Sequence, residues 1–351
     1  MVKTALIMGW QNNDKLSAIQ KYAHKLKEFF PKTIESIIVK CKSLPFGIGQ
    51  EITNYLIYPF IVLWKTRNCD VLHITSQEYA YLGNILNPNK LFITCHDLFP
   101  ITVDAKNVNW NYRLRIRLGL WGMKRAKMVF ADSEYTKQEL IRFGIDAGKI
   151  KVVGLGYDDK IFKPAKSTFR KKYGIDDKTK VILHVGSEID RKNLFRLFKA
   201  FSIVKSKVKD AKLVRVGSPQ HSKNREKLQM LAKELRIADD VVFTDFVYEK
   251  DIPEFYSGSD VFAFPSLAEG FGLPPIEAMA CECAVVTSNT GAMKEVSGNA
   301  VLCSPYDEKS IADAIINAIK LKGNKAAIKK GISNAKKFVW KNIAKQISEE
   351  Y

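Results

Sequence analysis

The sequence has few cysteines and no long apolar run. Its 351 residues include six cysteines, and no second pair or histidine cluster accompanies Cys281 and Cys283 to offer tetrahedral metal ligands. We interpret the cysteines as reduced and structural, which is typical of a cytoplasmic protein. Polar residues and a proline interrupt the most apolar stretch, residues 48–64, so it predicts no membrane-spanning helix. The amino terminus turns polar after one short strand-like run, which predicts no signal peptide.

Acidic side chains are scarce relative to basic ones. The chain has 37 Asp and Glu against 56 Lys and Arg, a formal net charge of +19. This excess favours polyanionic partners, namely nucleic acid, anionic lipid headgroups or nucleotide substrates, without choosing among them. Neither a nucleic-acid-binding module nor an aromatic and basic platform is apparent, so we expect no nucleic-acid partner. An acidic metal motif of the D-x-D type at a strand end is also missing.

Two series of short apolar runs alternate with helical patterns along the chain. The first series spans residues 3–153 and the second spans residues 181–287, and the polar, lysine-rich segment 163–180 is expected to join them. Strands that alternate with amphipathic helices indicate parallel βα units. The sequence therefore predicts an α/β protein with two doubly wound domains, residues 1–163 and residues 164–330.

The most informative stretch begins with an apolar run, residues 260–264, which predicts a buried parallel strand. A glycine loop follows, and a helix is expected to start near Pro275, because proline is tolerated in a first helical turn. A strand, a glycine loop and a helix N-terminus together favour anion binding. Glu269 and Glu277 flank the loop, and carboxylates at such a crevice accept hydrogen bonds from sugar hydroxyls. The alternative is an ordinary βα loop, with Glu277 stabilising a helix dipole.

A second loop, Gly186–Asn193, carries two cations just before a helix that is expected to start near Asn193. Lys192 can reach a phosphate as a point charge, whereas Arg191 can bind a phosphate or a carboxylate with two parallel hydrogen bonds. A solvated loop with the lysine directed outward is the alternative. His96 follows another predicted strand, at the sheet edge where function collects, although a lone histidine is more often structural.

The residues from Glu269 to Glu277, Glu-Gly-Phe-Gly-Leu-Pro-Pro-Ile-Glu, resemble the E-x7-E donor motif of retaining glycosyltransferases of family 4. That family has the GT-B fold, two Rossmann-like domains facing a cleft. The resemblance implies that Glu269 lies near the transferred sugar and that Glu277 holds the ribose of the nucleotide. It also implies a place near the donor sugar for His96, so the implied catalytic residues are Glu269 and His96.

Further segments resemble the same family from about residue 91 to residue 319. Gly186–Asn193 resembles the phosphate clamp G-R-x4-K-N: Lys192 matches the clamp lysine, Ser187 replaces the clamp arginine, and Arg191 can supply the missing charge. Asp245–Tyr248 resembles the loop whose backbone lies against the base. The donor-binding residues that the resemblance implies are Gly186, Ser187, Arg191, Lys192, Val247, Gly270, Phe271, Gly272, Leu273 and Glu277.

One segment departs from the family pattern. Family members commonly carry a glycine-rich loop after the first strand, whereas here only Gly9 is glycine and Trp10–Asp14 is bulky or polar. This departure leaves open the placement of the acceptor and the contact of the first domain with phosphate. The resemblance further implies that residues 1–163 form the acceptor side, that residues 164–330 bind the nucleotide sugar, and that part of residues 331–351 packs back on the first domain.

Cations alternate with tryptophans and aliphatic residues in Trp110–Lys127. Tryptophan prefers the headgroup level of a membrane, and cations prefer anionic lipid. A surface helix with ordinary buried leucines is the alternative. The residues expected to contact a membrane are Arg113, Arg115, Arg117, Trp121, Lys124 and Arg125.

The residues and the resemblance together predict a retaining enzyme. It would move a hexose, of mannose or glucose type, from a nucleoside diphosphate sugar to a hydroxyl of a glycan or lipid-linked acceptor, without a metal cofactor. A sugar-nucleotide epimerase on the same fold and a non-enzymatic polyanion-binding protein are the alternatives. We expect a cytoplasmic protein, with the inner face of the membrane as a candidate place of attachment.

Overall fold

The computed structural model describes residues 1–10, 18–41, 53–103, 108–219 and 222–351, so most of the loop Trp10–Asp14 lies outside the described residues. Within these ranges, twelve strands form two parallel sheets of six strands each. The sheets belong to two compact units. The first unit comprises Met1–Leu155 and Trp340–Tyr351, and the second comprises Gly156–Val339. The predicted α/β class with two doubly wound halves is confirmed.

The first sheet has the strand order β2-β1-β3-β4-β5-β6. Its strands are β1 (Val2–Trp10), β2 (Ile34–Cys41), β3 (Val71–Ile74), β4 (Leu91–Cys95), β5 (Met128–Ala131) and β6 (Ile150–Val152). The central strands β3 and β4 are buried over their whole length, as expected for a parallel sheet with helices on its faces. The chain order reverses between β1 and β3, where β1 pairs with both neighbours.

Helices and short helical turns connect the strands of the first unit. Ser133 caps one helix by accepting a hydrogen bond from the Thr136 N–H, as its position in the sequence predicts. The α-helices are Ala18–Phe29, Tyr58–Thr66, Trp110–Arg125, Glu134–Arg142 and Trp340–Ser348. The shorter turns are the π-helical Thr53–Ile57 and the 3-10 segments Gln77–Asn84, Pro88–Lys90, Phe99–Ile101 and Ala147–Lys149.

The second sheet has the strand order β12-β11-β10-β7-β8-β9, which is that of a dinucleotide-binding Rossmann sheet. Its strands are β7 (Lys180–Val185), β8 (Ala211–Val216), β9 (Val241–Thr244), β10 (Val261–Phe264), β11 (Ala284–Ser288) and β12 (Val301–Cys303). The chain order reverses between β7 and β10. Open α/β sheets bind their ligands outside the carboxyl ends of the strands at such a reversal.

The helices of the second unit start close to the predicted places. The helix expected near Pro275 begins two residues earlier, at Leu273, so Glu277 is its fifth residue. The α-helices are Phe169–Lys172, Leu194–Lys207, Ser222–Glu234, Ile252–Gly258, Leu273–Ala280, Gly291–Val296, Glu308–Ile319 and Lys325–Ala335. The 3-10 segments are Asp190–Lys192, Ala238–Asp240, Glu249–Asp251 and Lys336–Phe338.

The boundaries of the units differ from the predicted boundaries at 163/164 and 330/331. Residues 156–163 belong to the second unit, where the Tyr157 N–H donates to the Phe338 carbonyl at 2.8 Å. The chain re-enters the first unit only at Trp340. The ring of this residue lies 5.6 Å from the ring of Tyr22, and the Tyr351 ring lies 5.1 Å from that of Phe92.

Helix Trp110–Arg125 packs closely on the 3-10 segment Gln77–Asn84 through glycine. A Cβ atom at Gly122 would lie 2.0 Å from the Ala80 carbonyl oxygen, and one at Gly119 would lie 3.1 Å from the Ala80 Cβ. The absence of side chains at these two positions therefore sets the distance between the helix and the segment.

We expect Gly122→Ala to lower the free energy of unfolding by about 1–3 kcal/mol, because the new methyl group forces this contact apart. Gly148→Ala is the matched control, since a Cβ there would meet only the Asp146 carboxylate, at 3.5 Å or beyond. Urea unfolding measures both. Equal stabilities of the two variants would contradict the close packing.

Candidate functional site

Two loops of the second unit meet where the strand order reverses. They follow β7 and β10, and the Leu267 N–H in one donates to the Arg191 carbonyl in the other at 2.8 Å. Asn193, which precedes helix Leu194–Lys207, donates its side-chain amide to the Pro265 carbonyl at 2.9 Å and to the Pro305 carbonyl at 2.6 Å. These bonds fix the two loops against each other.

A carboxylate and two cations lie at the centre of this junction. Lys192 Nζ lies 2.7 Å from one Glu269 oxygen, and Arg191 Nη1 lies 2.7 Å from the other. Glu269 is 8% exposed and Lys192 is 7% exposed, so the arrangement is nearly dry. Three charges in this space leave one net positive charge at the carboxyl ends of the strands.

Burial and charge act in opposite directions on both groups. Burial raises the pKa of Glu269, but the Lys192 ammonium and the Arg191 guanidinium outweigh it and hold that pKa below the ordinary value. Burial lowers the pKa of Lys192, and the Glu269 carboxylate opposes this effect. Glu269 is therefore ionised at neutral pH, and both of its oxygens are held by cations.

Gly272 precedes helix Leu273–Ala280 in a conformation that favours glycine. Its φ is 102°, and a Cβ atom there would lie 1.9 Å from Met293 Cε. Proline has no N–H, so Leu273 is the only one of the first three helical residues that can donate a backbone hydrogen bond. The helix start therefore offers an anion fewer backbone N–H donors than a helix start without prolines. Phe271 buries its ring against Phe338, at 5.2 Å between centroids.

Glu277 is half-buried and fixed from the core side. One of its oxygens accepts a hydrogen bond from the Tyr256 hydroxyl at 3.2 Å. Burial raises the pKa of Tyr256, and the Glu277 carboxylate adds to this effect, so the phenol stays a donor. Carboxylates accept hydrogen bonds from adjacent hydroxyl groups, such as those of a ribose.

Gly186 and Ser187 continue from β7 into the phosphate-clamp loop. The Gly186 N–H donates to the Val216 carbonyl at 3.1 Å, and Ser187 is half-buried. Val247 lies in the loop after β9, also half-buried, between the exposed rings of Phe246 and Tyr248. The predicted donor-binding residues thus lie in loops after strands at the carboxyl edge of the second sheet, or within the first five residues of helix Leu273–Ala280.

Sequence reasoning missed a buried ion cluster beside these loops. The Glu188 side chain is fully buried, with Arg225 Nε at 2.6 Å and Arg215 Nη2 at 3.4 Å. Burial lowers the pKa of Arg215 to about 10, and Glu188 opposes that shift. Arg225 also reaches Asp245, at 3.3 Å, and so links the loops after β7 and β9. An arginine inside the apolar run 211–216 was the available signal, since a buried charge needs a partner.

His96 lies in the first unit, just after β4, and is 9% exposed. Its Nδ1 lies 2.8 Å from an Asp132 carboxylate oxygen, and its Nε2 lies 3.1 Å from the Thr75 carbonyl. The Asp132 carboxylate and the Thr75 carbonyl both accept hydrogen bonds. Both contacts are therefore hydrogen bonds only when one proton lies between Nδ1 and the carboxylate and a second proton lies on Nε2. Proton transfer from His96 to a ligand requires one of these bonds to break.

A buried polar network lies beside His96. The Thr94 hydroxyl contacts Tyr22 Oη at 3.1 Å and His73 Nε2 at 2.7 Å, and His73 Nδ1 contacts Tyr351 Oη at 2.5 Å. Burial and the charge of His96 lower the pKa of His73 to about 3, so His73 is neutral. The Tyr22 ring meets the His96 ring edge-on, with centroids 4.9 Å apart.

The residues predicted to contact a membrane do not all face outward. The Arg115 guanidinium stacks on the rings of Tyr112 and Tyr79, at 4.9 Å and 5.7 Å, which gives it a structural role instead. Arg113 is half-buried. The exposed members of the predicted set are Arg117, Trp121, Lys124 and Arg125.

Two features are absent from the residues that the structure describes. No helix there has the length and apolar character to cross a membrane. Likewise, no group of three or more His, Cys, Asp or Glu side chains in those ranges is arranged to hold a metal ion.

Two family models match the chain, and together they span most of it. "Glycosyl transferases group 1" matches residues 165–338, and "Glycosyltransferase Family 4" matches residues 22–160. Among curated relatives, the serotype-specific mannosyltransferase WbdA of Escherichia coli is 27% identical over 73% of this chain and 32% of its own length. The O-antigen chain mannosyltransferase B of Escherichia coli is 25% identical over 84% of this chain and 78% of its own length. The chain therefore spans about a third of the WbdA sequences.

Solved structures resemble the whole chain. Sucrose-phosphate synthase from Thermosynechococcus elongatus has a TM-score of 0.81 at 20% identity, covering 100% of this chain and 98% of that one. Anabaena HepE, solved in complex with UDP and glucose, has a TM-score of 0.78 at 20% identity, covering 100% and 99%. These likenesses confirm the predicted GT-B fold.

We expect the His96–Asp132 pair to make stability depend on pH. Burial lowers the pKa of His96, but the charge and hydrogen bond of Asp132, the Asp97 charge and the Thr75 carbonyl together outweigh burial and raise that pKa. Burial raises the pKa of Asp132, and the charge and hydrogen bond of His96 oppose that increase. A raised pKa contributes stability below the unfolded value, about 6.5 for histidine, and this stability is lost as pH rises through the folded pKa.

As pH rises above about 6.5, the free energy of unfolding should therefore fall more steeply in the wild type than in Asp132→Asn. Urea titrations at a series of pH values measure the two slopes. Parallel slopes in the wild type and the variant would contradict a shared proton.

Proposed function

Since this chain belongs to the glycosyl transferases group 1, we propose that it transfers a hexose from a nucleoside diphosphate sugar to a hydroxyl of a glycan or lipid-linked acceptor. The names of the mannosyltransferase relatives support a hexose of the mannose type. The observation that carries the proposal is the buried contact of Glu269 with Lys192 and Arg191 at the strand-order reversal.

The two cations suit the diphosphate of the donor. Lys192 and Arg191 come from the loop after β7, and the Glu269 carboxylate holds both of them. Cations held in a nearly dry site stabilise the charge that develops on a leaving diphosphate without further reorganisation. The Leu273 N–H, at the positive end of its helix, adds a backbone donor.

The two glutamates take different parts in this proposal. Glu269 lies against the transferred sugar, where an ionised carboxylate stabilises positive charge at the sugar carbon as the donor bond breaks. Retention of configuration rests on the resemblance of this motif to retaining enzymes. Glu277, held by Tyr256, binds the ribose hydroxyls.

His96 has a different part, as a binding residue in the first unit. Both of its ring nitrogens have partners, so we assign it a binding role rather than proton transfer. A panel of nucleotide sugars in a thermal-shift assay identifies the donor, because a tight ligand raises stability by mass action. Transfer from that donor to a glycan acceptor then tests the proposed function itself.

We predict that donor binding and turnover respond to different substitutions. Lys192→Ala should raise the Kd of the nucleoside diphosphate by about 10²-fold, because it removes a phosphate contact. Glu269→Gln should leave that Kd unchanged or lower it, because it removes a negative charge, while kcat falls by about 10²–10³-fold. Calorimetry and initial rates measure these effects.

Lys180→Ala is the matched control. Lys180 is the first residue of β7, at the end opposite to the loop that carries Lys192, and it pairs with Asp260. Its loss should therefore not change nucleotide affinity. Equal affinities in the Lys192 and Lys180 variants would place the nucleotide elsewhere.

We also predict that transfer persists in excess chelator. Lys192 and Arg191 supply the positive charge that a divalent cation supplies to the diphosphate in metal-dependent transferases. Initial rates with and without EDTA should agree. A complete loss that Mn²⁺ or Mg²⁺ restores would refute the metal-independent assignment.

A further inference from the structure

We propose that two helices of the first unit, Tyr58–Thr66 and Trp110–Arg125, form a docking face for an anionic lipid bilayer. The surface contains none of the residues assigned to donor binding, so it is independent of the proposed donor site. The Tyr58–Thr66 helix is a part of it that the sequence patterns did not indicate.

An exposed apolar stripe runs along helix Trp110–Arg125. Residues three or four apart lie on one helical face. Trp110 is 71% exposed and Trp121 is 70% exposed, with the exposed Leu114 and Leu118 between them. The opposite face of the helix is buried against the unit, so the stripe faces outward.

Cations continue the same stripe. Arg117 lies one turn before Trp121, and Lys124 and Arg125 lie one turn after it, all of them exposed. Long basic side chains beside exposed tryptophans match the headgroup level of a membrane, where the cation meets lipid phosphate and the ring meets the acyl boundary.

The second helix repeats this pattern. Phe60 and Trp64 are four residues apart and are 72% and 64% exposed. Leu63 is also exposed. Arg67, just after the helix, places its guanidinium 5.8 Å from the Trp64 ring, again joining a cation to an exposed aromatic side chain.

Both helices adjoin one segment of the first unit. The Tyr55 ring, in the turn before helix Tyr58–Thr66, lies 5.4 Å from the Tyr81 ring in the 3-10 segment Gln77–Asn84. Helix Trp110–Arg125 packs on the same segment through Gly119 and Gly122. The turn that leads into one helix and the body of the other helix therefore contact the same segment.

The chemistry of the face favours lipid over a protein partner. Tryptophan and arginine are also enriched in protein interfaces, but both helices contain cations and no Asp or Glu, which favours an anionic surface. A two-fold contact with a second copy would also bring these cations near one another. An anionic bilayer satisfies both components, and the net charge of +19 strengthens the attraction.

Vesicle co-sedimentation of the full chain tests the proposal. Binding should require phosphatidylglycerol in phosphatidylcholine vesicles and should weaken at high salt. Each cation contributes about fivefold in the partition coefficient, so Arg117→Gln with Lys124→Gln and Arg125→Gln should lower it by about 10²-fold. Trp110→Gln with Trp121→Gln should also lower binding, and this loss should persist at high salt.

Control variants carry matched changes in the second unit. Lys325→Gln with Lys329→Gln and Lys330→Gln removes three exposed cations, and Met230→Gln removes an exposed apolar side chain. Both controls should bind vesicles as the wild type does. Equal losses in test and control variants, or equal binding to neutral vesicles, would overturn the proposal.

Light scattering tests whether the face is instead a contact between two copies of the chain. If the tryptophan variant converts a dimer to a monomer and leaves vesicle binding unchanged, the face is a contact between copies, and the proposal is wrong. Nucleotide affinity should be unchanged in every variant. This readout separates failure of the docking face from failure of the donor site.

Discussion

The junction of the two loops in the second unit depends on one buried contact, the carboxylate of Glu269 between Lys192 and Arg191. A buried charge is tolerated only with partners, and removal of one partner leaves the others uncompensated. The loop after β7 must therefore bring its cations to the loop after β10, and the neighbouring positions of these two strands make that possible. The geometry that binds phosphate in our proposal is thus the geometry that keeps Glu269 ionised.

The first unit also contains a buried carboxylate with an ionisable partner, Asp132 with His96. His96 and Asp132 are both buried after adjacent strands, and two acceptors around one imidazole oblige the pair to share a proton. In the second unit a carboxylate organises two cations, whereas in the first unit a carboxylate organises one titratable ring. Both polar clusters lie at the carboxyl edge of their sheet, where the backbone leaves room for ligands.

The sequence predicts well what is local, and less well what depends on tertiary contacts. Apolar runs and turn residues located the strands, and the Glu269–Glu277 string placed the loop between β10 and its helix. The Glu188–Arg225 pair was not predicted, because the two residues lie far apart along the chain. The inward course of Arg115 was not predicted either, because it depends on distant Tyr79 as well as on nearby Tyr112. Helix Tyr58–Thr66 was missed as a surface because its apolar residues resemble those of a core helix.

The two prolines after Gly272 act on the unfolded chain as well as on the folded loop. Each has a fixed φ, so this segment samples fewer conformations before folding and loses less entropy when it becomes ordered. Gly272 acts in the opposite direction, because glycine is the most flexible residue in the unfolded state. The prolines therefore offset part of the conformational freedom that Gly272 adds to the unfolded chain.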